Sequence, residues 1–121
     1  MSLIASNLSI KHEKSFHLND VSFSMSKGEI YTIIGRTLAG KTTLLKTIAG
    51  LISPDSGGLT FDGHDFGGIP VWKREIAMVY QQFINYPHLT VYQNVAFPLK
   101  QRGTQKTEIH RRVIAALSQV G

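Results

Sequence analysis

The strongest constraint on the fold of this chain is a run of β-forming residues that leads directly into a glycine-bounded loop. Residues 29–34 are almost continuously apolar, which is typical of a strand covered on both faces, as in a parallel sheet. The pattern G-x-x-x-x-G-K-[ST] follows at once, as Gly35-Arg36-Thr37-Leu38-Ala39-Gly40-Lys41-Thr42. Apolar residues at helical spacing come directly after it. Average composition produces this pattern in roughly 4 of 1,000 chains of this length, so the flanked match predicts a phosphate-binding loop.

Each fixed position of this loop has a chemical task. Gly35 and Gly40 permit the backbone angles that turn N–H groups inward as an anion nest. Lys41 places an ammonium between the β- and γ-phosphates, and the helix that begins near it directs the positive end of its dipole at the same point. Thr42 offers a hydroxyl to Mg²⁺, and Thr43 offers a hydrogen bond to the α-phosphate. We therefore expect residues 35–43, the phosphate loop, to bind a nucleotide with Mg²⁺.

Length and composition restrict the class of protein further. The chain has 121 residues, of which 42% are apolar, enough for one modest core. The absence of cysteine excludes a disulfide framework, a thiolate metal site and a cysteine nucleophile. No apolar run approaches the roughly 18 residues of a membrane span, and the first residues lack the pattern of a signal peptide. A soluble protein that faces the cytosol is the expectation.

The net charge of +5 suits phosphate-bearing ligands, nucleic acid or an anionic membrane. The basic residues are spread along the chain except for Lys106, Arg111 and Arg112, which favours a solvated helix face over a nucleic-acid surface. The histidines contain no pair at the spacing of helical metal ligands, so we expect them to be solvated or structural. They stand at positions 12, 17, 64, 88 and 110.

Apolar periodicity predicts the remaining elements of a mixed α/β chain. Strands are expected within residues 2–10, 21–26 and 75–80, with a short hairpin that turns at Asp62-Gly63. The first helix is expected to stop at Ser53-Pro54, because the residue before a proline leaves α geometry. Residues 91–99 are ambiguous and are expected to end at Pro98, whereas residues 104–120 predict an amphipathic helix.

The segments around the phosphate loop resemble the nucleotide-binding subunit of ABC transporters. The family's order and spacing are found in Leu18-Asn19-Asp20-Val21-Ser22-Phe23, Lys27-Gly28-Glu29, Thr42-Thr43-Leu44-Leu45, Ile48-Ala49-Gly50-Leu51, Ser53-Pro54-Asp55-Ser56-Gly57 and Phe61-Asp62-Gly63. Met78-Val79-Tyr80-Gln81 and residues 86–95 are similar to the family's Q-loop region. Over essentially its whole length, the chain is similar in particular to the ATPases of bacterial importers for sugars and related small solutes.

The resemblance implies an α/β fold, a P-loop NTPase core of the ABC ATPase type. An antiparallel β portion should lie beside a central sheet, and a helical subdomain should begin after Gln81. Residues 1–121 are then the N-terminal part of a nucleotide-binding domain. They hold the phosphate loop, known as Walker A, and the Q-loop. The signature segment, the Walker B strand with its Mg²⁺-binding Asp and catalytic Glu, and the switch histidine lie beyond Gly121. Because partner strands are missing, we expect exposed apolar surface.

The resemblance also implies roles for residues outside the phosphate loop. Gln81 becomes the Q-loop glutamine, whose side-chain oxygen approaches Mg²⁺ and the attacking water, while the loop after it meets the membrane subunits. A polar strand end bonded to backbone is the alternative for Gln81. The family stacks an aromatic ring on adenine, and Phe16 is the nearest candidate, although ungapped alignment places His12 there. A packing role for Phe16 stays open.

The phosphate loop departs from the family at three neighbouring positions. Arg36, Thr37 and Leu38 stand where family loops usually read Pro, Ser and Gly. A leucine restricts the backbone more than glycine does, and the nest should tolerate it if its φ is negative. Arg36 either adds charge beside the phosphates or points to solvent, and the second orientation is favoured.

The leading functional prediction is the ATP-binding subunit of an ABC importer. It couples binding and hydrolysis of Mg·ATP to import of a small, sugar-like solute. Its partners are membrane permease subunits and a second nucleotide-binding subunit, with no nucleic acid, on the cytoplasmic face of the membrane. One alternative is a truncated fragment that binds nucleotide without turnover. A kinase or DNA-repair ATPase with the same loop is another.

Overall fold

An antiparallel sheet supports the first of two structural units in this chain. The computed structural model describes residues 2–121; the first unit extends to Met78 and the second spans Val79–Gly121. The strands are β1 (Ser2–His12), β2 (Ser15–Ser26), β3 (Ser56–Phe61) and β4 (His64–Asp65). They pair in the order β2-β1-β3-β4, each antiparallel to its neighbour. The strands expected within residues 2–10 and 21–26 and the hairpin at Asp62-Gly63 are thereby confirmed. The first of them was expected at a sheet edge, and this was wrong, because β1 pairs with β2 on one side and with β3 on the other.

The core of the first unit joins this sheet to helix α1 (Lys41–Ala49). Leu8 of β1, Leu18 of β2 and Leu59 of β3 are buried in one cluster with Leu44 of α1. In a strand, every second side chain lies on the same face of the sheet, and in a helix, side chains three or four residues apart lie on the same face. The apolar faces of the sheet and of α1 can therefore pack against each other. The resemblance implied a central sheet with an antiparallel portion beside it, and the first helix was expected to pack on the central sheet. Within residues 2–121 it packs on the antiparallel sheet instead.

The two strands predicted over residues 29–34 and 75–80 are absent, and these predictions were wrong. Both segments lack regular secondary structure in the described part of the chain. Ile30 is 97% exposed, Ile34 89% and Val79 95%. A strand is maintained by hydrogen bonds to a neighbouring strand, and no segment among residues 2–121 pairs with either of them. The expectation of exposed apolar surface is confirmed.

Two helix ends differ from their predicted positions. Helix α1 ends at Ala49, before Ser53-Pro54, because Gly50 adopts a left-handed φ of 84° and closes the helix. Helix α2 (Val91–Gln101) contains Pro98, which had been expected to end it. A capping box starts α2: the Thr90 hydroxyl accepts from the Gln93 N–H, and the Gln93 side chain accepts from the Thr90 N–H.

Helix α3 (Lys106–Val120) confirms the predicted amphipathic helix. It packs on α2 through Ala96, Ile109 and Val113, which form the core of the second unit. One short 3₁₀ turn, Val71–Lys73, lies in the first unit. Within residues 2–121, no helix has the length and apolar character needed to cross a bilayer.

Candidate phosphate-binding site

The phosphate loop leaves a set of backbone N–H groups without acceptors at the start of α1. The first helical hydrogen bond runs from the Leu44 N–H to the Gly40 carbonyl, at 2.9 Å. The N–H groups of Lys41, Thr42 and Thr43 therefore precede the helical ladder, and none has an acceptor among residues 2–121. Gly40 caps the helix without any side-chain hydrogen bond. This end of α1 presents open donors and the positive end of the helix dipole, a combination that suits an anion.

Close packing restricts both glycine positions of the motif, most strongly Gly40. Gly40 has a φ of 98°, and a Cβ there would overlap the carbonyl oxygen of His17 in β2. A Cβ on Gly35 would lie 3.3 Å from the Cβ of Ala39, tighter than ordinary van der Waals contact. The loop is thus pressed against the β1–β2 hairpin at one end and against itself at the other. Gly40 has the left-handed backbone conformation that glycine adopts readily, whereas Gly35 does not have a positive φ and is restricted only by its contact with Ala39.

The Lys41 side chain folds back over the phosphate loop, so that its ammonium contacts the first residues of that loop. Its Nζ donates to the carbonyl oxygens of Gly35 at 2.6 Å and Arg36 at 2.7 Å. Two neutral acceptors hold a full charge here, and a phosphate oxygen is a stronger acceptor for the same ammonium. Arg36 itself is exposed, in agreement with the favoured solvent orientation.

The residues proposed to bind Mg²⁺ belong to different units. Thr42, at the start of α1, is exposed, and its hydroxyl has no hydrogen-bond partner among residues 2–121. Gln81 is an exposed bend residue of the second unit, in no strand, and its side chain makes no hydrogen bond within the described chain. No group of three or more His, Cys, Asp or Glu within residues 2–121 could hold a metal. A hydroxyl such as that of Thr42 fits Mg²⁺, which keeps most of its ligands as water and phosphate oxygen.

Aromatic rings gather at the end of the β1–β2 hairpin. Phe16 is 52% exposed, and the Lys11 ammonium lies 5.5 Å from its ring centroid. The rings of His12 and His17 stack with centroids 5.6 Å apart. Since the His17 backbone also contacts Gly40, this hairpin adjoins the phosphate loop. The imidazole pair was not anticipated from the sequence, because the two histidines lie on different strands.

Leu38 occupies a strained position in the phosphate loop. Its φ is +67°, so the condition under which the nest should tolerate leucine, a negative φ, is not met. The Ala39 N–H donates to the Arg36 carbonyl at 3.1 Å, which makes Leu38 the third residue of a tight turn, where glycine is the usual choice. The side chain is 99% exposed and gains nothing from burial.

The segment after Gln81 exposes apolar side chains and is followed in sequence by an ordered turn. Phe83 is fully exposed, and Ile84 is 68% exposed. The Asn94 side chain fixes the turn that follows: its Nδ2 donates to the carbonyls of Tyr86, Leu89 and Thr90, and its Oδ1 accepts from the Tyr86 N–H at 2.7 Å. The start of α2 is therefore rigidly connected to residues 86–90.

Comparison with known proteins places this geometry in a family. A family model described as ABC transporter matches residues 18–121. The chain is 46% identical over 103 residues to the molybdate/tungstate import ATP-binding protein of Thermococcus kodakarensis, covering 85% of this chain and 31% of that protein. It is 41% identical over 111 residues to the spermidine/putrescine import ATP-binding protein of Protochlamydia amoebophila, covering 92% and 30%. The chain spans less than a third of the length of these curated relatives.

A solved structure shares the fold. It is the dimeric ATP-binding cassette MJ0796 in a post-hydrolysis state, bound to ADP and Pi. The TM-score is 0.81 at 25% identity, with 96% of this chain and 56% of that chain covered. The expected α/β fold, a P-loop NTPase core of the ABC ATPase type, is confirmed.

Replacing Leu38 by glycine is expected to stabilise the protein. The change removes the left-handed strain of a non-glycine residue and loses no buried area, so the free energy of unfolding should rise by about 1 kcal/mol. Urea unfolding of the natural polypeptide that carries this sequence measures it. Leu38→Ala is the matched control, because alanine keeps the strain. An equal gain in both variants would assign the effect to the leucine side chain and contradict the backbone explanation.

Proposed function

Because this chain belongs to the ABC transporter family, we propose that it carries the nucleotide-binding machinery of an ATP-driven import subunit. The observation that supports this most directly is the convergence at the phosphate loop. Open N–H donors, the Lys41 ammonium and the amino end of α1 meet at one point. That combination matches the charge and the many acceptor oxygens of a triphosphate.

In the proposed complex, the residues of the phosphate loop hold ATP in a fixed position. The N–H groups of Lys41, Thr42 and Thr43 donate to phosphate oxygens. The Lys41 ammonium exchanges the Gly35 and Arg36 carbonyls for the β- and γ-phosphates, where negative charge shifts during transfer. The Thr42 hydroxyl is a ligand for Mg²⁺, which when bound neutralises charge on the phosphates. The exposed Arg36 stays at the rim, in solvent.

Gln81 is assigned a part in hydrolysis, as a Mg²⁺ ligand and a contact for the attacking water. Its exposed amide has no competing hydrogen bond within the described chain, so it is free to make these contacts. No acidic residue of this sequence follows an apolar run in the way that a metal-steering aspartate does. The 121 residues by themselves are therefore expected to bind ATP without efficient hydrolysis.

The proposed assembly contains a second nucleotide-binding subunit and membrane permease subunits. Support comes from the dimeric form of the similar solved structure and from relatives that are named import ATP-binding proteins. The exposed side chains of Phe83 and Ile84 provide apolar surface after Gln81 for the permease. This arrangement puts the subunit on the cytoplasmic face of the membrane.

The imported solute is proposed only as a small molecule. The two relatives described above are named for molybdate or tungstate and for spermidine or putrescine. These names do not support the sugar-like solute expected from the sequence, which stays a prediction. The choice of solute belongs to the permease and to any solute-binding subunit, neither of which contacts the phosphate loop in this proposal.

Lys41→Ala tests the phosphate-binding assignment. Loss of a charge-assisted hydrogen bond, worth about 1.5–3 kcal/mol, should weaken Mg·ATP binding about 10- to 150-fold. Isothermal titration of the natural polypeptide measures the Kd. Lys46→Ala is the matched control, since it removes the same charge from the last turn of the same helix. Equal Kd values for Lys41→Ala and the unmodified protein would refute the assignment.

The contact with the base is tested by Phe16→Ala and His12→Ala. We propose Phe16, whose exposed ring adjoins the phosphate loop through its hairpin, as the stacking residue. Loss of a stacking contact worth about 1–3 kcal/mol should weaken ATP binding roughly 5- to 150-fold. Binding of inorganic tripolyphosphate, which lacks a base, should not change. A loss in His12→Ala alone would transfer the role to the stacked histidines and remove it from Phe16.

Gln81→Ala separates binding from turnover. The Kd for Mg·ATP should stay within about threefold, whereas ATP hydrolysis by the natural polypeptide should fall on the order of 100-fold, because the attacking water loses a group that orients it. Gln82→Ala, at the neighbouring glutamine, is the control. Full ATPase activity in Gln81→Ala would exclude the proposed role.

A further inference from the structure

Arg74 joins three segments of the first unit through its guanidinium group. Its Nη1 donates to the carbonyl oxygens of Ile48 at 2.9 Å and Thr47 at 3.3 Å, both in the last turn of α1. Its Nε donates to Ile69 O at 2.8 Å and its Nη2 to Gly67 O at 3.2 Å, in the loop after β4. The guanidinium carbon also lies 4.7 Å from the ring centroid of Phe66, which is buried.

These contacts satisfy the carboxyl end of the helix whose amino end forms the phosphate loop. The last carbonyls of a helix have no intrahelical donors, and a cation there is favoured by the helix dipole. With nine residues, α1 is only about 13 Å long. Because the helix is this short, a displacement of its carboxyl end also moves its amino end at Lys41. Burial lowers the pKa of Arg74 from its ordinary value, and the Asp65 carboxylate opposes that change; an arginine remains charged throughout.

Gly50 keeps space for the guanidinium. A Cβ built on Gly50 would lie 2.7 Å from both Cζ and Nε of Arg74. The same glycine has the left-handed φ of 84° that ends α1. One residue thus closes the helix and admits the cation that caps it.

Arg74 is also the residue from which the chain continues towards Gln81. Within the described chain, residues 75–80 form no strand and no helix, and Arg74 is the last side chain before them with several hydrogen bonds to other segments. The anchor is the set of four carbonyls and the Phe66 ring described above. Sequence analysis missed this residue, because an arginine ahead of an apolar run carries no motif.

We propose that Arg74 is a positioning residue that links the occupancy of the phosphate loop to the segment 75–81. When a nucleotide fixes the amino end of α1, the guanidinium transmits that restraint from the carboxyl end of α1 to the start of the segment. The inference rests on the proposed binding of ATP at the phosphate loop. Linkage is reciprocal, so weakening this connection also weakens nucleotide binding.

Hydrogen exchange with and without saturating Mg·ATP tests the proposal on the natural polypeptide. In the unmodified protein, nucleotide should slow exchange in residues 35–49 and in residues 75–81. Arg74→Lys retains the charge but loses the planar fork that reaches several carbonyls. It should keep the nucleotide-dependent slowing in residues 35–43 and lose it in residues 75–81, with Mg·ATP binding weakened about fivefold or more. A purely structural arginine would lower stability without separating these two responses.

Two further variants complete the design. Gly50→Ala displaces the guanidinium without removing it, and it should reproduce the effect of Arg74→Lys. Lys73→Ala, an exposed neighbour, should behave like the unmodified protein. Nucleotide-dependent slowing of residues 75–81 that persists in Arg74→Lys, or that is missing from the unmodified protein while residues 35–43 respond, would overturn the proposal. If residues 35–43 of the unmodified protein do not respond at all, the proposed ATP site fails instead.

Discussion

The phosphate loop depends on the short helix α1, which leaves the backbone N–H groups at its amino end open and has the carbonyl groups at its carboxyl end hydrogen-bonded. At its amino end, close contact between Gly40 and the His17 backbone prevents any side chain from capping the helix, so the N–H donors stay open. At its carboxyl end, Gly50 and Arg74 satisfy the last carbonyls. Between the two ends, the buried side chain of Leu44 holds the helix against the sheet. An anion site made of backbone groups needs all three, because a helix that shifted or frayed would move its donors.

Elements stabilised by nearby residues were predictable, whereas elements that need a distant partner were not. The strands within residues 2–10 and 21–26 carry an apolar pattern in the local sequence, and the hairpin at Asp62-Gly63 carries a turn signal. Residues 29–34 have an equally strong strand pattern, but no segment of residues 2–121 pairs with them. The residue types of a segment indicate that it favours a sheet, but they do not indicate whether a neighbouring strand is present to pair with it.

In the candidate site, too, the residues with a local chemical function were predictable, whereas features set by the path of the chain were not. The motif identified Gly35, Gly40 and Lys41, because each performs a backbone or charge function that few residue types allow. The sign of φ at Leu38 was left open, since at the third residue of a turn it follows from the course of the loop and not from the residue type. The helix end expected at Pro98 was wrong, because the capping box at Thr90 and the contacts of Ala96 with α3 outweigh one missing N–H.

The exposed segment 29–34 has a consequence for the behaviour of the polypeptide in concentrated solution. Its backbone N–H and C=O groups form no ladder, its side chains are apolar or β-branched apart from Glu29, and it contains neither lysine nor proline. Natural sheet edges use those two residues to prevent pairing between molecules. Apart from the Glu29 carboxylate, the segment therefore has none of the features that oppose pairing between molecules. The segment that leads into the phosphate loop is therefore also a predicted site of aggregation.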